Sequence, residues 1–487
     1  MKLSQLLEMA GAGPLSGADA EFNAVTEDSR RVTPGALFVA TAGAHVDGHE
    51  FARDAVDRGA AAVIGSRPAL ADPIGVPYAA VEHPRRALGL AAHHLAGNPA
   101  DAMTVIGITG TNGKTSAALI LRHLLREAGY ATAVFGTLGH AFTDALEPGK
   151  HTTPFAEELA DLFSQAREAG VTHVVMEASS HALEQERVAG ISFDVAAFTN
   201  LTQDHLDFHA DMAAYQRAKQ KLFERLDGEH AFGVVNRDDP HWKAFIEACP
   251  VKCYTYGREG DCQARRVRAE DRRTAFWAQT PWGGTAVDMN LLGPHNVANA
   301  LCAITVGGAL GLAPGDMAAA LSAIPPVPGR FEHVDAGQDF QVIVDYAHTE
   351  DGLRNVLQSA RPICSGRLIV VFGCGGDRDR GKRPRMAAAV AELADYAIVT
   401  SDNPRTEDPE RILLDIEVGL RQTGKEMGQD YLRILDRSEA IHKAIAMAKP
   451  GDVVLIAGKG HEDYQILGAE RIHFDDREVA RAALEAR

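Results

Sequence analysis

The stretch GITGTNGKTS, residues 107–116, decides the fold. A phosphate-binding loop of the form G-x-x-x-x-G-K-[ST] wants glycine five positions before Gly113, and Ile108 stands there instead. The chemistry asks for less than the pattern does. A nucleoside triphosphate needs successive backbone N–H groups pointing inward, a lysine at the terminal phosphates, a hydroxyl for Mg²⁺ and a helix that begins there. The preceding MTVIGIT, residues 103–109, is apolar and β-branched like a buried strand. SAALILRHLLREAG, from Ser116, carries apolar residues at helical spacing and closes on glycine. Gly110 and Gly113 permit the positive φ angles of an anion nest, Lys114 supplies the charge and Thr115 the hydroxyl. An ordinary glycine-rich turn requires no such lysine–hydroxyl pair.

With 487 residues the chain is too long for one core, and three domains are expected. Its net charge of -17 argues against a nucleic-acid partner. ARRVRAEDRR, residues 264–273, is basic but has acidic residues inside it, and reads as a solvated strand edge or loop. The six cysteines form no C-x-x-C pair, so free cytosolic thiols are expected, with neither a zinc finger nor a disulfide framework. The N-terminal MKLSQLLEMAGAGPL is interrupted by Glu8, and no apolar run approaches a membrane span of about 18 residues. A soluble, cytoplasmic monomer is the expectation.

Residues 1–100 read as a small α/β unit, with GALFVA and AAAVIG as strands around the helix EFARDAVDRGA. A boundary falls near AGNPADAM. Residues 101–330 alternate strand and helix, and the buried strands HVVMEASS and VAAFTNL end in polar residues, where ligands of parallel sheets gather. IPPVPGR, residues 324–330, reads as a linker. Residues 331–487 alternate again (FQVIVDY, RLIVVFG, YAIVTSD, DVVLIAG), which predicts a doubly wound, Rossmann-like sheet. Its FGCGGDR is no dinucleotide fingerprint, because Arg378 stands where the third glycine would be.

Three stretches of the middle unit carry candidate chemistry. Glu177 follows a buried strand on the same ligand edge as the nucleotide loop, where a carboxylate could hold a metal; the other reading is a helix cap. In TNLTQDHLDFH, Asp204, His205, Asp207 and His209 crowd six positions. His205 and His209 lack H-E-x-x-H and a third ligand, so a place for His205 near Mg²⁺ is preferred to zinc. Lys219, in YQRAKQKLF, reads from composition and spacing alone as a solvated helix lysine.

The succession GTNGKTS, TTP (152–154), MEASSHAL, FTNLTQDHLDFH, YQRAKQKLF, GPHNVANA, PGRFE, VDYAHT, FGCGGDRDRGKRP, DNPR and GKGHEDYQ resembles the Mur ligases of peptidoglycan synthesis along essentially the whole chain. The likeness is to the branch that adds meso-2,6-diaminopimelate to the D-glutamate γ-carboxylate of UDP-N-acetylmuramoyl-L-alanyl-D-glutamate, through an acyl phosphate. It implies a central P-loop domain between a small N-terminal α/β domain and a C-terminal Rossmann-like domain, with ATP and Mg²⁺. Gly110, Thr111, Asn112, Gly113, Lys114, Thr115 and Ser116 would meet the ATP phosphates. Asn296 and Asn299 would meet the adenine side, and Arg330 and Asp345 would reach the nucleotide from the linker and last domain. Lys114, Lys219, Glu177 and His205 would be catalytic, the metal being held by Thr115, Glu177, His205 and Lys219 as a carbamate. Glu27, Ser29 and His45 would hold the uridine end of the substrate; Thr152, Thr153, Ser179, Gln185 and Arg187 would hold its phosphates, sugar or peptide. Arg378, Asp402, Asn403, Arg405, Gly458 and Glu462 would form the diaminopimelate pocket. Ser116 and His151 depart from the commoner Thr and Asn of relatives.

SDNPRTEDP, residues 401–409, bears on the added amino acid. Taken alone it is turn chemistry with a solvated arginine. Diaminopimelate is lysine with a second carboxylate, however, and a guanidinium can grip that group through two parallel hydrogen bonds. A lysine-adding Mur ligase and a folylpolyglutamate synthase are the neighbouring readings, against which DNPR and TEDSR argue. A regulatory or motor P-loop ATPase would hydrolyse ATP without an amino-acid acceptor.

Overall fold

The computed structural model describes residues 1–13, 18–43, 46–70, 74–270 and 273–487. Its centre is a seven-stranded sheet in the order Lys252–Tyr256, Phe232–Asn236, Val195–Phe198, Thr104–Thr109, His173–Glu177, Thr132–Gly136 and Gly139–Ala141. Only the last strand pairs antiparallel. Thr104–Thr109 lies between strands that the chain visits in opposite directions, so its carboxyl end is the switch point at which such sheets take ligands. The glycine-rich loop starts there.

The strand is buried on both faces, which is why MTVIGIT reads as continuous rather than alternating. On one face Ile106 and Ile108 pack with Leu121 of helix Lys114–Glu127 and Ala300 of helix Pro294–Ala309. On the other, Gly107 leaves room for Phe193 and Leu222, which a Cβ would strike. The basic cluster belongs to a three-stranded antiparallel sheet, Gln263–Glu270, Arg273–Thr280 and Gly283–Met289. Gln263–Glu270 is its edge strand, with Arg265, Arg266 and Arg268 exposed. Phe276, Ala278, Val287 and Met289 turn inward onto helix Pro294–Ala309. The basic cluster is the solvated strand edge expected of it, whereas its two partner strands were not anticipated.

Toward the N-terminus, four parallel strands run in chain order, Ala24–Thr26, Ala36–Ala40, Ala62–Gly65 and Tyr78–Ala80. The two middle ones answer to GALFVA and AAAVIG, with helix Ala52–Asp57 between them. Beyond the coil at 324–330 a six-stranded sheet has the order Glu332–His333, Gln341–Asp345, Val453–Ala457, Leu368–Phe372, Tyr396–Val399 and Tyr431–Arg433, parallel except for the first. Helices cover both faces, as expected of a doubly wound sheet. Among the described residues, no helix is long and apolar enough to cross a membrane.

One ion pair inside this last unit is sealed from water. Arg437 donates two hydrogen bonds to Asp476, both at 2.7 Å, with both side chains at 0 % exposure. It also donates to the carbonyls of Ala457, at 3.0 Å, and Ser401, at 3.4 Å, so it ties two strand ends together. Removing one partner of such a pair leaves a bare buried charge, which costs about 3–5 kcal/mol. Asp476→Ala is therefore expected to lower the unfolding free energy of the last unit by that order, read as a fall in its denaturant midpoint. Asp476→Leu combined with Arg437→Met should recover much of the loss, since the apolar pair leaves no charge behind.

Candidate active site

The nucleotide loop is built by close approach. Gly113 (φ 85°) is the N-cap of helix Lys114–Glu127, and a side chain there would run into the Asn299 amide oxygen. At Gly110 (φ 148°) it would run into the Thr199 hydroxyl. The two glycines thus serve conformation and space together. Lys114 donates to the carbonyls of Gly110, at 2.9 Å, and Thr111, at 3.0 Å. Burial lowers its pKa, against the nearby Glu177 carboxylate, which raises it.

Thr115 donates to Glu177 Oε2 at 3.1 Å and receives Arg330 at 3.2 Å. Thr137, which sequence reasoning missed, gives Glu177 two further hydrogen bonds, from its N–H (2.8 Å) and its hydroxyl (3.0 Å). Glu177 is therefore no helix cap; it is a buried carboxylate aimed at the loop. Lys219, read from composition as solvated, is 1 % exposed and donates to Gly110 O at 2.8 Å, with the Tyr215 ring 4.3 Å away. Burial first, and Lys114 second, hold its pKa well below the usual lysine value. His205 (φ 55°) stands 3.5 Å from Asp204 and 4.7 Å, ring to ring, from His181, another residue the motifs did not flag. Burial pushes His205 down to about 3 and His181 to about 4, so both are neutral with free lone pairs at pH 7.

Among the described residues, no group of three His, Cys, Asp or Glu side chains forms a ready-made metal cage. Oxygen donors such as Thr115 and Glu177 instead fit Mg²⁺, which keeps most of its waters and binds through one or two carboxylates plus phosphates. Among the described residues a zinc centre on His205 and His209 has no third ligand of these types, and His209 Nε2 is buried without a hydrogen-bond partner there.

The cleft above the loop is walled by both large units. Asn112, Gly113, Thr115, Ser116 and Asn299 face Arg330, Asp345, Tyr346 and His348 across it. Asp345 accepts the N–H groups of Phe331 and Ala347, each at 2.7 Å, which fixes the chain where the linker enters the last sheet. Asn112 donates to Asp351 at 2.8 Å, a direct tie between the loop and helix Glu350–Ala360. Asn296 lies one turn from Asn299 in an adjoining hollow, donating to Leu292 O at 2.8 Å, with Arg330 lining both spaces.

A second pocket opens on the same seam. It gathers Arg378, Asp402, Asn403, Arg405, Gly458 and Glu462 with Asp204, His205, Lys382, Tyr346 and His348. Arg405 sits in the left-handed region (φ 53°) and donates to Gly376 O at 2.9 Å. Beneath it the fully buried Lys459 reaches Glu462 at 3.1 Å, Asn403 at 3.4 Å and Asp402 at 3.7 Å. Burial raises the Glu462 pKa, and the neighbouring Lys459 opposes the rise. GKGHEDYQ held the signal for this lysine, but its burial could not be read from the letters.

The third group lies where the first sheet meets the second. Thr153 donates to Glu177 O at 2.7 Å and accepts Ser179 N–H at 3.0 Å, while Thr152 and Thr137 share a hydrogen bond at 3.0 Å. Arg187 donates to Gln185 Oε1 and to Thr153 O, lies 4.0 Å from the Phe155 ring, and has no carboxylate partner among the described residues. Burial lowers it to about 10; Arg85 pushes the same way and Glu27 opposes. An arginine without a counter-ion beside a second arginine suits a phosphate. Glu27 accepts Thr41 at 2.9 Å and Arg85 at 3.4 Å. Ser29 opens the short helix Ser29–Arg31. His45 lies outside the described residues.

A P-loop on one sheet, a polar pocket on another and a seam joining them describe an ATP-dependent ligase. Three family models divide the chain accordingly: "Mur ligase family, catalytic domain" at residues 21–95, "Mur ligase middle domain" at 108–307 and "Mur ligase, glutamate ligase domain" at 329–460. The chain belongs to the Mur ligase family. It is 46% identical over 495 residues to the UDP-N-acetylmuramoyl-L-alanyl-D-glutamate--2,6-diaminopimelate ligase of Geobacillus kaustophilus (strain HTA426), with 100% of each chain covered. A solved structure bearing the same ligase name matches with a TM-score of 0.68 and 34% identity, over 96% of this chain and 95% of that one. Mycobacterium tuberculosis folylpolyglutamate synthase, complexed with ADP and AMPPCP, shares the fold at a TM-score of 0.63 and 20% identity, over 77% of this chain and 92% of its own.

Proposed function

We propose that the protein is an ADP-forming amide ligase of peptidoglycan precursor synthesis, which joins meso-2,6-diaminopimelate to the D-glutamate γ-carboxylate of UDP-N-acetylmuramoyl-L-alanyl-D-glutamate. One observation carries the reading: Tyr346 and His348 line both the nucleotide cleft and the pocket of Arg378, Asn403, Arg405 and Glu462, so an activated carboxylate and an amine would meet between them. In this reading residues 1–100 take the uridine end, 101–330 take ATP and 331–487 take the amino acid. The protein acts as a cytoplasmic monomer.

The loop N–H groups and Lys114 hold the β- and γ-phosphates, and the γ-carboxylate attacks the γ-phosphorus as ADP leaves. Thr115, Glu177, His205 and carbamylated Lys219 would hold Mg²⁺, which would neutralise charge on the transferring phosphoryl group. The amine then attacks the acyl phosphate and phosphate leaves. Thr152, Thr153, Ser179, Gln185 and Arg187 keep the peptide and phosphates of the first substrate in line. Glu27, Ser29 and His45 hold its uridine end, and Asn296 and Asn299 the adenine side of ATP. Closure of the last unit excludes water, to which an acyl phosphate would otherwise be lost.

Arg405 reads the second carboxylate of diaminopimelate. Lysine offers that arginine no carboxylate, at a cost of roughly 1–3 kcal/mol. Steady-state rates test the assignment: the wild type is expected to favour meso-diaminopimelate over L-lysine, and Arg405→Ala to lose that preference, chiefly through a fall of about 10- to 10²-fold in kcat/KM for diaminopimelate. A wild type that prefers lysine, or an Arg405→Ala variant that discriminates as well as the wild type, contradicts it.

A further inference from the structure

Amide formation needs an unprotonated amine, whereas an amino acid arrives as its ammonium. The neutral histidine at the junction of the two pockets is His348. Its Nδ1 lies 2.9 Å from the carbonyl oxygen of Tyr346. A carbonyl only accepts, so Nδ1 carries the proton and Nε2 carries the lone pair. Nε2 has no hydrogen-bond partner among the described residues, and it is not among the buried atoms left unpaired. The Tyr346 ring, 4.6 Å away, fixes the imidazole edge-on.

Resting on the ligase reading, we propose that His348 Nε2 is the proton acceptor for the attacking amine. The substrate ammonium gives one proton to Nε2, and the freed lone pair attacks the acyl carbon. The C–N bond forms, the bond from that carbon to the phosphate oxygen breaks, and the departing phosphate takes the second nitrogen-bound proton. The imidazolium returns its proton to solvent. The charges that face the ring suit this role. Burial, Lys382 and Arg330 lower its pKa, so it waits neutral, while Asp204 pulls the other way and would favour the imidazolium as it forms. His461, itself buried and pushed down to about 3, adds no standing charge at neutral pH.

His348→Asn tests the assignment, because an asparagine amide can still donate to the Tyr346 carbonyl while lacking a basic nitrogen. Two nucleophiles separate the possibilities: diaminopimelate, which must be deprotonated, and hydroxylamine, which is already neutral at pH 7. With diaminopimelate the variant should lose on the order of 10²-fold in kcat at neutral pH and regain rate as the pH rises toward that of the free amine. With hydroxylamine, hydroxamate formation from the UDP-linked dipeptide and ATP should fall far less, by at least about tenfold less than the loss with diaminopimelate. Equal losses with both nucleophiles, or no loss with diaminopimelate, would overturn the proposal. Failure of the ligase reading would look different, since the wild type itself would then make neither product.

Discussion

Lys219→Ala is expected to lose most amide synthesis, on the order of 10²-fold or more, and to regain part of it with formate, acetate or propionate. The expectation starts from an amine with 1 % exposure whose pKa is held well below the usual value by burial and by Lys114. A lowered pKa favours the unprotonated amine that adds carbon dioxide, and the proposed carbamate would give an anionic oxygen ligand in its place. Short carboxylates would place an equivalent oxygen in the space that alanine vacates. An alanine variant with near-normal turnover would contradict the role.

The same lysine makes a stability prediction of opposite sign. Burial holds the pKa of this amine well below its value in the unfolded chain, so in buffer depleted of carbon dioxide its burial opposes folding. Lys219→Met should therefore melt higher than wild type at neutral pH, with Gly110 O still served by Lys114. The cost is full below the native pKa and shrinks as the pH rises toward the unfolded value near 10.5. The advantage of the methionine variant should shrink with it, and calorimetry across that range would read the trend.

Lys114→Ala should lower kcat by about 10²-fold or more, beyond any change in the KM for ATP. Lys114 closes over the carbonyls of its own loop near Glu177, where in the proposed reaction charge would grow as the phosphoryl group moves. An interaction made only in the transition state lowers kcat and kcat/KM together, whereas a binding contact raises KM alone. Initial rates over a range of ATP concentration distinguish them. A variant with unchanged kcat would make Lys114 a binding group only.

The nucleotide loop was legible because strand, lysine–hydroxyl pair and helix each left a local mark in GITGTNGKTS. Why residue 110 must be glycine was not, since the obstacle is Thr199, far along the chain. The doubly wound C-terminal sheet was legible from four apolar runs. The strands Ala24–Thr26 and Tyr78–Ala80 were not, three residues being too few for any period to appear. In the antiparallel sheet at 263–289 the basic cluster was legible as a solvated strand edge, but its partner strands Arg273–Thr280 and Gly283–Met289 were not. Burial explains the rest. Lys219 and Lys459 look like solvated lysines as letters, and only packing turns one into a neutral amine and the other into the counter-ion of Glu462 and Asp402. Asn112 and Asp351 meet across 239 residues, a separation no motif records.

In the proposed reaction ATP activates a carboxylate for attack by an amine held at the adjoining pocket. Labelling the D-glutamate γ-carboxylate of the UDP-linked dipeptide with oxygen-18 and analysing the released phosphate tests it directly. With ATP and meso-diaminopimelate present, the account predicts one labelled oxygen carried into phosphate for each amide and each ADP formed. ADP and unlabelled phosphate, released whether or not the dipeptide and the amino acid are present, would contradict it and make the protein a nucleotide hydrolase.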